Sequence, residues 1–370
     1  MRYLYYCNSA YQILTVLNLH WHRKYAGFEN LTEYDGDLMI LNSFNEAERI
    51  CELLKKQKIF HDVILINKAY NSGSFHALKT LYDVFSPSFY LADKYGFKKK
   101  DIQGIYEAIC VPKYSTITAA IWRLNPQAKL HIIEDGAGTY FGSMRLTPDS
   151  TLYKRFYKTL NHGKDFYDHQ AIYLNDKSLF TGEAYDKVVD IPAFSDECLD
   201  MARKLFAEYA DCSDMKDKSV LYFAQFLNNR DINIFIDSLL SYLETFRKDV
   251  LYIPHPRHKD EKTYELDYAI RKQIWELKQL NITDLDEKLL ISIHSTACFT
   301  PKILFDKEPY ILLFYKLCDD KVTTRNQRFD QFVERFTERY RNRDKIMIPE
   351  SVDEFKSCIE GFLSGNGNKQ

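Results

Sequence analysis

Apolar runs of strand length alternate with amphipathic helical segments along almost the whole chain, and this alternation constrains the fold more than any other feature. In the first half, strands are predicted over residues 3–7, 37–41, 62–66, 106–111, 129–133, 170–174 and 188–192. Helices are predicted over residues 10–25, 46–56, 76–85, 116–124 and 153–160. Strand, helix and strand in succession predict a parallel sheet with right-handed crossover connections.

The same alternation begins again near Phe194. Helices are predicted over residues 194–209, 232–246, 327–341 and 352–363, and strands over 219–224, 250–253, 289–293, 310–314 and 345–348. A chain of 370 residues is too long for one ordinary core and suits two domains. The predicted domains are residues 1–193 and 194–370. The predicted fold class is α/β of the GT-B type, in which two Rossmann-like α/β domains face a central cleft.

Charge and cysteine usage exclude several classes of protein. Lys and Arg number 50 against 52 Asp and Glu, so the net charge of −2 gives no basic field for nucleic acid. The eight cysteines form no C-x-x-C pair, which indicates reduced thiols rather than a disulfide framework or a zinc site. The sequence shows neither a signal-peptide pattern nor a run of 18 apolar residues. We therefore expect a cytoplasmic protein without a nucleic-acid partner.

The predicted strand 129–133 stops at two carboxylates and a glycine, Glu134, Asp135 and Gly136. In open α/β sheets ligands bind at the carboxyl ends of strands, so either carboxylate could act as a general base. Adjacent residues of a strand point to opposite sides, and which of the two faces a ligand stays open. Gly136 would supply the turn and let a ligand approach the backbone. The structural alternative is an acidic turn that only caps the next element.

Polar residues also follow two predicted strands of the second half, as His255-Pro256 and as Ser295-Thr296. An imidazole can stabilise or protonate a leaving phosphate, and hydroxyls beside the N–H groups of a helix N-terminus can hold its oxygens. Pro256 suits the first position of a helix. Because the acidic group lies in the first half and these two groups in the second, they would meet at the interdomain cleft, which favours group transfer. A rigid turn at His255 and an ordinary N-cap at Ser295 are the structural alternatives.

The three groups, in this order, resemble the D/E-D/E-G, H-P and S-S/T motifs of bacterial sialyltransferases. In this chain they read Glu134-Asp135-Gly136, His255-Pro256 and Ser295-Thr296. The chain looks most like glycosyltransferase family 52, which shares these motifs with families 38 and 80, and residues 6–14 are similar to the opening strand, turn and helix of that family. The resemblance implies an inverting enzyme that transfers N-acetylneuraminic acid from CMP-Neu5Ac to a glycan acceptor. Family 52 enzymes act in capsule or lipooligosaccharide synthesis, and the implied acceptor ends in galactose.

The resemblance also implies a role for each site residue. Asp135 would be the base, with Glu134 as the second choice, and His255 would act on the leaving CMP. The N-terminal domain would then be the acceptor side, and the C-terminal domain would bind the CMP-sugar. The implied donor-binding residues are Ser295, Thr296, Pro256, Gly136, Ser9, Gln12 and Glu276. Glu276 is assigned to the ribose, and helix capping explains Ser9 equally well. No cofactor and no metal are implied, while peripheral contact with the inner membrane face and homodimer formation stay open.

Several alternatives stay open at this point. One is a polysialyltransferase or another CMP-nonulosonate transferase, the second a CDP-glycerol-type glycerophosphotransferase, and the third a non-catalytic polysaccharide-assembly protein. Asp35-Gly36-Asp37 imitates the D-x-D metal motif of another glycosyltransferase class, although an Asp-Gly turn that opens a strand is the favoured interpretation. His258 suggests a metal site with His255, yet no third ligand follows at a recognisable spacing. The three lysines at 98–100 indicate a solvated loop or a contact with anionic lipid or acceptor.

Overall fold

The computed structural model describes residues 1–31, 33–67, 91, 103–113, 116–142, 171–182, 187–225, 230–255, 264–269, 274–318 and 327–367. The predicted helices over 76–85 and 153–160, the lysines at 98–100, Pro256 and His258 lie outside the described residues. The chain divides into two compact units. The first unit comprises Met1–Thr139, Ser143–Lys177 and Gly182–Ala193, and the second comprises Tyr140–Gly142, Ser178–Thr181 and Phe194–Gln370.

The first unit contains a parallel sheet of seven described strands. These are β1 (Arg2–Cys7), β2 (Asp35–Asn42), β3 (Asp62–Asn67), β4 (Ala108–Val111), β5 (Lys129–Ile133), β6 (Ala171–Leu174) and β7 (Val188–Asp190), in the spatial order β3-β2-β1-β4-β5-β6-β7. The described helices of this part of the chain are α1 (Ala10–Tyr25), α2 (Ala47–Gln57), α3 (Thr116–Leu124) and the short α4 (Gly138–Phe141). In register, Leu4 of β1 lies opposite Asp37 of β2 and Ile109 of β4. The inner strands are buried on both faces, as expected for a parallel sheet covered by helices.

Helix α1 shows how the sequence produces these elements. Ser9 has extended backbone angles and caps the helix, and its Oγ accepts a hydrogen bond from the backbone N–H of Gln12 at 3.3 Å. Basic residues in the last turn complement the helix dipole. The apolar residues of α1 that are buried against the sheet are Ile13, Leu14, Val16, Leu17 and Leu19. This packing fixes the carboxyl end of β1 against the start of α1.

The second unit contains a parallel sheet of six described strands. These are β8 (Val220–Phe223), β9 (Val250–Ile253), β10 (Asp267–Tyr268), β11 (Leu289–Ser292), β12 (Tyr310–Leu313) and β13 (Ile346–Met347), in the spatial order β10-β9-β8-β11-β12-β13. The described helices are α5 (Asp196–Leu205), α6 (Arg230–Leu243), α7 (Trp275–Lys278), α8 (Thr296–Phe305), α9 (Gln327–Glu338) and α10 (Val352–Gly367). Two short segments from the first half of the chain also pack in this unit. Tyr140 packs on Phe332 with ring centroids 5.5 Å apart, and the Thr181 hydroxyl donates to the carbonyl of Arg328 at 2.8 Å.

Both sheets follow the Rossmann strand order, with the first strand in the middle, the second and third on one side and the later strands on the other. The order therefore reverses between β1 and β4 in the first sheet and between β8 and β11 in the second. Ligands of open α/β sheets bind outside the carboxyl ends of the strands at such a switch point. The prediction of two parallel-sheet α/β domains is confirmed.

Three element predictions need correction. Strand β10 was not predicted, because only two residues pair there, with Leu251 and Tyr252 at the edge of the sheet. Helix α10 continues to Gly367 although the glycine-rich end of the chain predicted a stop near residue 363. A glycine lowers helix stability by about 1 kcal/mol and does not by itself end a helix. Residues 191–192, predicted as strand, follow the end of β7 at Asp190.

Candidate functional site

The two carboxylates after β5 occupy opposite environments. Glu134 is fully buried, and its carboxylate accepts hydrogen bonds from the Tyr11 hydroxyl and from Asn175, whose backbone N–H donates at 2.8 Å and side-chain amide at 3.0 Å. Asp135 is exposed. The alternation of side chains along an extended chain thus turns Glu134 into the domain and leaves Asp135 at the sheet edge. Asp135 is the accessible carboxylate of the pair.

The turn after Asp135 is built from Gly136 and Thr139. Gly136 has a φ of 96°, which is strained for any residue with a Cβ, so glycine is required at this position. The backbone N–H of Asp135 donates to the Thr139 hydroxyl at 2.8 Å, and the N–H of Thr139 donates to the carbonyl of Gly136 at 3.0 Å. These bonds fix the backbone that carries the Asp135 carboxylate.

Gln12, predicted as a donor-binding residue, contacts Asp135 directly. Its side chain is fully buried in the first turn of α1, and its amide Nε2 donates to Asp135 Oδ1. Ser9, predicted for the same role, is the N-cap of α1. The capping interpretation of Ser9 is confirmed. The Gln12 amide donates to the Asp135 carboxylate instead of facing a surface where a donor sugar could bind.

The protein environment adjusts the basicity of Asp135. The residue reaches the surface, but the protein atoms around its carboxylate displace part of its hydration and raise its pKa above the ordinary 3.8, while the Lys113 ammonium and the hydrogen bond from Gln12 act in the opposite direction. The nearby Cys7 thiol at the end of β1 has a pKa well above its usual range, because it is fully buried and lies close to Asp135. Cys7 therefore stays a neutral thiol beside a carboxylate of raised pKa.

In the second unit, the predicted site residues lie at the carboxyl ends of β9 and β11. His255 follows β9 and is half-buried, and its neighbour Pro256 lies outside the described residues. Ser295 is the N-cap of α8, and its Oγ accepts from the N–H of Ala297 at 3.3 Å. The helix begins at Thr296, so Pro301 lies inside α8 instead of starting it. Ser295 and Thr296 thus lie at the N-terminus of a ten-residue helix beside the switch point between β8 and β11.

Gln225 is a site residue that the sequence analysis missed. It follows β8, and its Oε1 accepts from the Ser292 hydroxyl at 3.2 Å and from the N–H of His294 at 2.9 Å. The Ser292 hydroxyl in turn accepts from the N–H of Ser295 at 3.1 Å. Gln225 therefore connects the two strands that flank the switch point and fixes the loop that leads into α8. The sequence feature that could have identified Gln225 is its position directly after the strand predicted over residues 219–224.

Glu276 lies on the short helix α7, which is anchored on both sides. The Trp275 indole N–H donates to the carbonyl of Ala297 in the first turn of α8 at 3.0 Å. The Lys278 ammonium pairs with both carboxylate oxygens of Asp214 at 2.6 and 2.7 Å. Glu276 lies between these two anchoring residues in the sequence, and burial raises the pKa of its carboxyl group.

Asp35 and Asp37, the alternative metal motif, lie at the amino end of β2. Asp37 is buried, pairs with Arg2 at 2.8 Å and accepts from the Tyr106 hydroxyl at 2.8 Å. Asp35 lies 3.3 Å from the Lys24 ammonium. The two carboxylates thus stabilise the sheet at the amino ends of its strands, whereas Asp135 lies at the carboxyl ends. Among the described residues, no group of three His, Cys, Asp or Glu side chains could hold a metal ion.

No protein-family model matches the chain, and no curated protein sequence matches it. Solved structures are similar over nearly its whole length. A Listeria monocytogenes protein named as a UDP-N-acetylglucosamine 2-epimerase has a TM-score of 0.50 and 8% identity, over 98% of this chain and 88% of that chain. The spinosyn forosaminyltransferase SpnP has a TM-score of 0.48 and 11% identity, over 98% and 90%. The E. coli heptosyltransferase WaaC has a TM-score of 0.42 and 11% identity, over 98% and 99%.

The chain has a GT-B-type fold. In this GT-B chain both sheets have the Rossmann strand order, which agrees with the predicted fold class. Within the described part of the chain, no helix is long and apolar enough to cross a membrane.

Proposed function

We propose that the protein is an inverting sialyltransferase that transfers N-acetylneuraminic acid from CMP-Neu5Ac to a galactose-terminated glycan in capsule or lipooligosaccharide synthesis. One observation carries the proposal. The acidic, His and Ser-Thr motifs, in the order of the bacterial sialyltransferases, each follow the carboxyl end of a strand in a sheet of Rossmann order. The fold supports a glycosyltransferase in general, and the motifs select the CMP-sialate donor.

In the first domain, Asp135 is the general base. An acceptor hydroxyl is a weak nucleophile, and a carboxylate within hydrogen-bond reach activates it by taking its proton. The raised pKa of Asp135 makes its carboxylate a stronger base than an ordinary aspartate. The acceptor oxygen forms a bond to the anomeric carbon of the sialyl group while the bond from that carbon to the phosphate oxygen breaks. The electron pair leaves with CMP, and attack from the opposite face inverts the configuration.

The second domain binds the donor and stabilises its leaving group. The N-terminus of α8 presents backbone N–H groups and the hydroxyls of Ser295 and Thr296, a combination that suits a phosphate. His255 stabilises or protonates the phosphate oxygen as negative charge develops. Glu276 follows Trp275, which contacts the first turn of α8, and accepts hydrogen bonds from the ribose hydroxyls. In this scheme the phosphate charge is met by protein groups, so the reaction requires no divalent ion.

Asp135→Asn tests this assignment. The variant keeps the size and shape of the side chain but cannot take the acceptor's proton, so turnover should fall by roughly 10²–10⁴-fold. CMP affinity, measured by calorimetry, should be almost unchanged. His255→Ala should reduce both turnover and CMP affinity, because the imidazole acts on the phosphate.

Asp35→Asn is the matched control, since it removes a carboxylate at the opposite edge of the same sheet. The control should keep transfer activity. Full transfer by Asp135→Asn would refute the assignment of the base.

A further inference from the structure

The Gln12 side chain lies in an environment that fixes the orientation of its amide. The backbone N–H of Asn8 donates to Gln12 Oε1 at 2.6 Å. Only the amide oxygen can accept that bond, so the NH₂ group must face the other way. It donates to the side-chain Oδ1 of Asn8 at 3.1 Å and to Oδ1 of Asp135. Gln12 is fully buried, which leaves no room for an alternative rotamer exposed to solvent.

This arrangement joins the carboxyl ends of two separate strands. Asn8 and Gln12 follow β1, at the switch point of the first sheet, whereas Asp135 follows β5. The contact spans 123 positions of sequence and is independent of the turn at Gly136. A neutral donor on one carboxylate oxygen favours the ionised form and restricts rotation of the group.

The other groups that face Asp135 are few among the described residues. The Lys113 ammonium follows β4 and lowers the pKa of Asp135, and the buried Cys7 thiol lies at the end of β1. Glu134 points away into the domain and is bound by Tyr11 and Asn175. Gln12 is the described side chain that donates a hydrogen bond to the Asp135 carboxylate.

We propose that Gln12 is a positioning residue for Asp135: its locked amide holds Oδ1 and presents Oδ2 to the proton of the acceptor hydroxyl. The proposal rests on the proposed function for the identity of the substrate and for the role of Asp135 as the base. The sequence analysis assigned Gln12 to the donor sugar, and the geometry assigns it to the base instead.

Gln12→Glu tests the proposal with an isosteric change. Glu can still accept from the N–H of Asn8, but its second oxygen then faces Asp135 in place of an NH₂ donor. Two adjacent carboxylates share a proton, so the apparent pKa of Asp135 should rise by about one unit or more. Carboxyl-carbon NMR titration, with the Asp135 signal assigned by its loss in Asp135→Asn, measures this shift without reference to transfer. The acid limb of the pH profile of kcat/KM should move to higher pH by the same amount.

Ser195→Ala is the matched control. It removes the N-cap of α5, a helix that carries none of the predicted site residues, and should lower the melting temperature, while both the Asp135 titration and the acid limb stay in place. Gln12→Met, which keeps chain length and removes the donor, should lower kcat more than it raises KM for the CMP-sugar.

The outcomes separate this proposal from the proposed function. An Asp135 titration that is the same in Gln12→Glu and in the parent would overturn the positioning role. A shifted titration with an unmoved acid limb would overturn the role in catalysis. Failure of the parent protein to transfer sialic acid would refute the proposed function, and the titration would still decide whether Gln12 holds the carboxylate.

Discussion

At the scale of single residues, the adjacent pair Glu134 and Asp135 shows where sequence reasoning stops. The pattern of a strand followed by two acids and a glycine placed both acids at the carboxyl end of a strand, but it could not say which acid faces solvent. That choice depends on Tyr11 and Asn175, which are distant in sequence and supply hydrogen-bond donors for Glu134. The contact between Gln12 and Asp135 likewise cannot be predicted from the residues around either position, because the two are 123 positions apart in the sequence.

Glu134→Gln should destabilise the protein without removing the base. The Glu134 carboxylate accepts from three donors, the Tyr11 hydroxyl and the two N–H groups of Asn175, so an amide NH₂ at this position would meet another donor in a fully buried place. An unsatisfied buried polar group costs about 1–3 kcal/mol of unfolding free energy. Urea denaturation measures this loss, and transfer by the folded fraction should persist. Unchanged stability with lost transfer would instead make Glu134 the base.

Alanine substitutions at Ser295 and Thr296 should distinguish a role in helix capping from a role in phosphate binding. Ser295→Ala removes the N-cap of α8 and should lower both stability, by about 1 kcal/mol, and CMP affinity. Thr296→Ala removes a hydroxyl beyond the cap and should lower CMP affinity. Calorimetric titration with CMP and urea denaturation check the pair. If both variants bind CMP as the parent does, the start of α8 is only a structural cap.

At the scale of elements, β1 and α1 are joined by a buried chain of hydrogen bonds. Arg23 donates to the Tyr5 hydroxyl at 2.6 Å, and the Tyr5 and Tyr34 hydroxyls lie 2.6 Å apart. Tyr34 contacts His20 Nδ1 at 2.9 Å, and His20 Nε2 contacts the carbonyl of Ile59 at 3.0 Å. Because the carbonyl can only accept, the neutral His20 ring donates from Nε2 and accepts at Nδ1. Each group in this series of hydrogen bonds therefore donates to the next one, from Arg23 to the carbonyl of Ile59.

Gly36→Ala should disrupt this chain. A Cβ at position 36 would lie 2.8 Å from His20 Nδ1, 3.0 Å from the Tyr5 ring and 3.1 Å from the Tyr34 hydroxyl. The glycine of the Asp-Gly-Asp sequence is therefore required by packing. We expect a loss of roughly 1–3 kcal/mol in unfolding free energy, measured in urea. Gly138→Ala, where nothing lies within 4 Å of the added Cβ, is the control. Equal stability of the two variants would contradict the packing role.

The buried histidines of the first domain should make its stability depend on pH. Burial lowers the pKa of His20 and of His131 from 6.5 to about 4. Below pH 6.5 these imidazoles are protonated in the unfolded chain, whereas in the folded chain they stay neutral down to about pH 4. The free energy of unfolding should therefore fall as the pH decreases through this range. Urea midpoints at pH 7 and pH 5 test the sign. A midpoint at pH 5 equal to or above that at pH 7 would contradict neutral buried imidazoles.

The elements themselves were predicted well where local pattern decides. The bounds of Ala10–Tyr25, Thr116–Leu124, Lys129–Ile133 and Val250–Ile253 match those predicted, because each segment carries its own periodicity and turn residues. Strand β10 is different, since it has only two residues and these are extended because they pair with β9. Gln225 was missed for a similar reason, because its partners Ser292 and His294 come from another strand.

At the scale of the whole molecule, two sheets with the same Rossmann order place the motif residues at the carboxyl ends of their strands. Two sheets of this order are what a GT-B-type fold requires. The fold admits many nucleotide-linked substrates, so function depends on the residues at the strand ends. In the proposed function, Asp135, His255 and the start of α8 are the parts that would distinguish a CMP-sialate enzyme from other chains of this fold.

A donor screen in the presence of EDTA tests the central claim most directly. The protein is incubated with CMP-Neu5Ac, CDP-glycerol or UDP-N-acetylglucosamine, with and without lactose, and released nucleotide and sialyllactose are measured. We predict that lactose stimulates CMP release from CMP-Neu5Ac, with an equal amount of sialyllactose formed and no need for added metal. Release of nucleotide from CDP-glycerol or UDP-N-acetylglucosamine but not from CMP-Neu5Ac would contradict the account. Activity that appears only after Mg²⁺ or Mn²⁺ is restored would also contradict it.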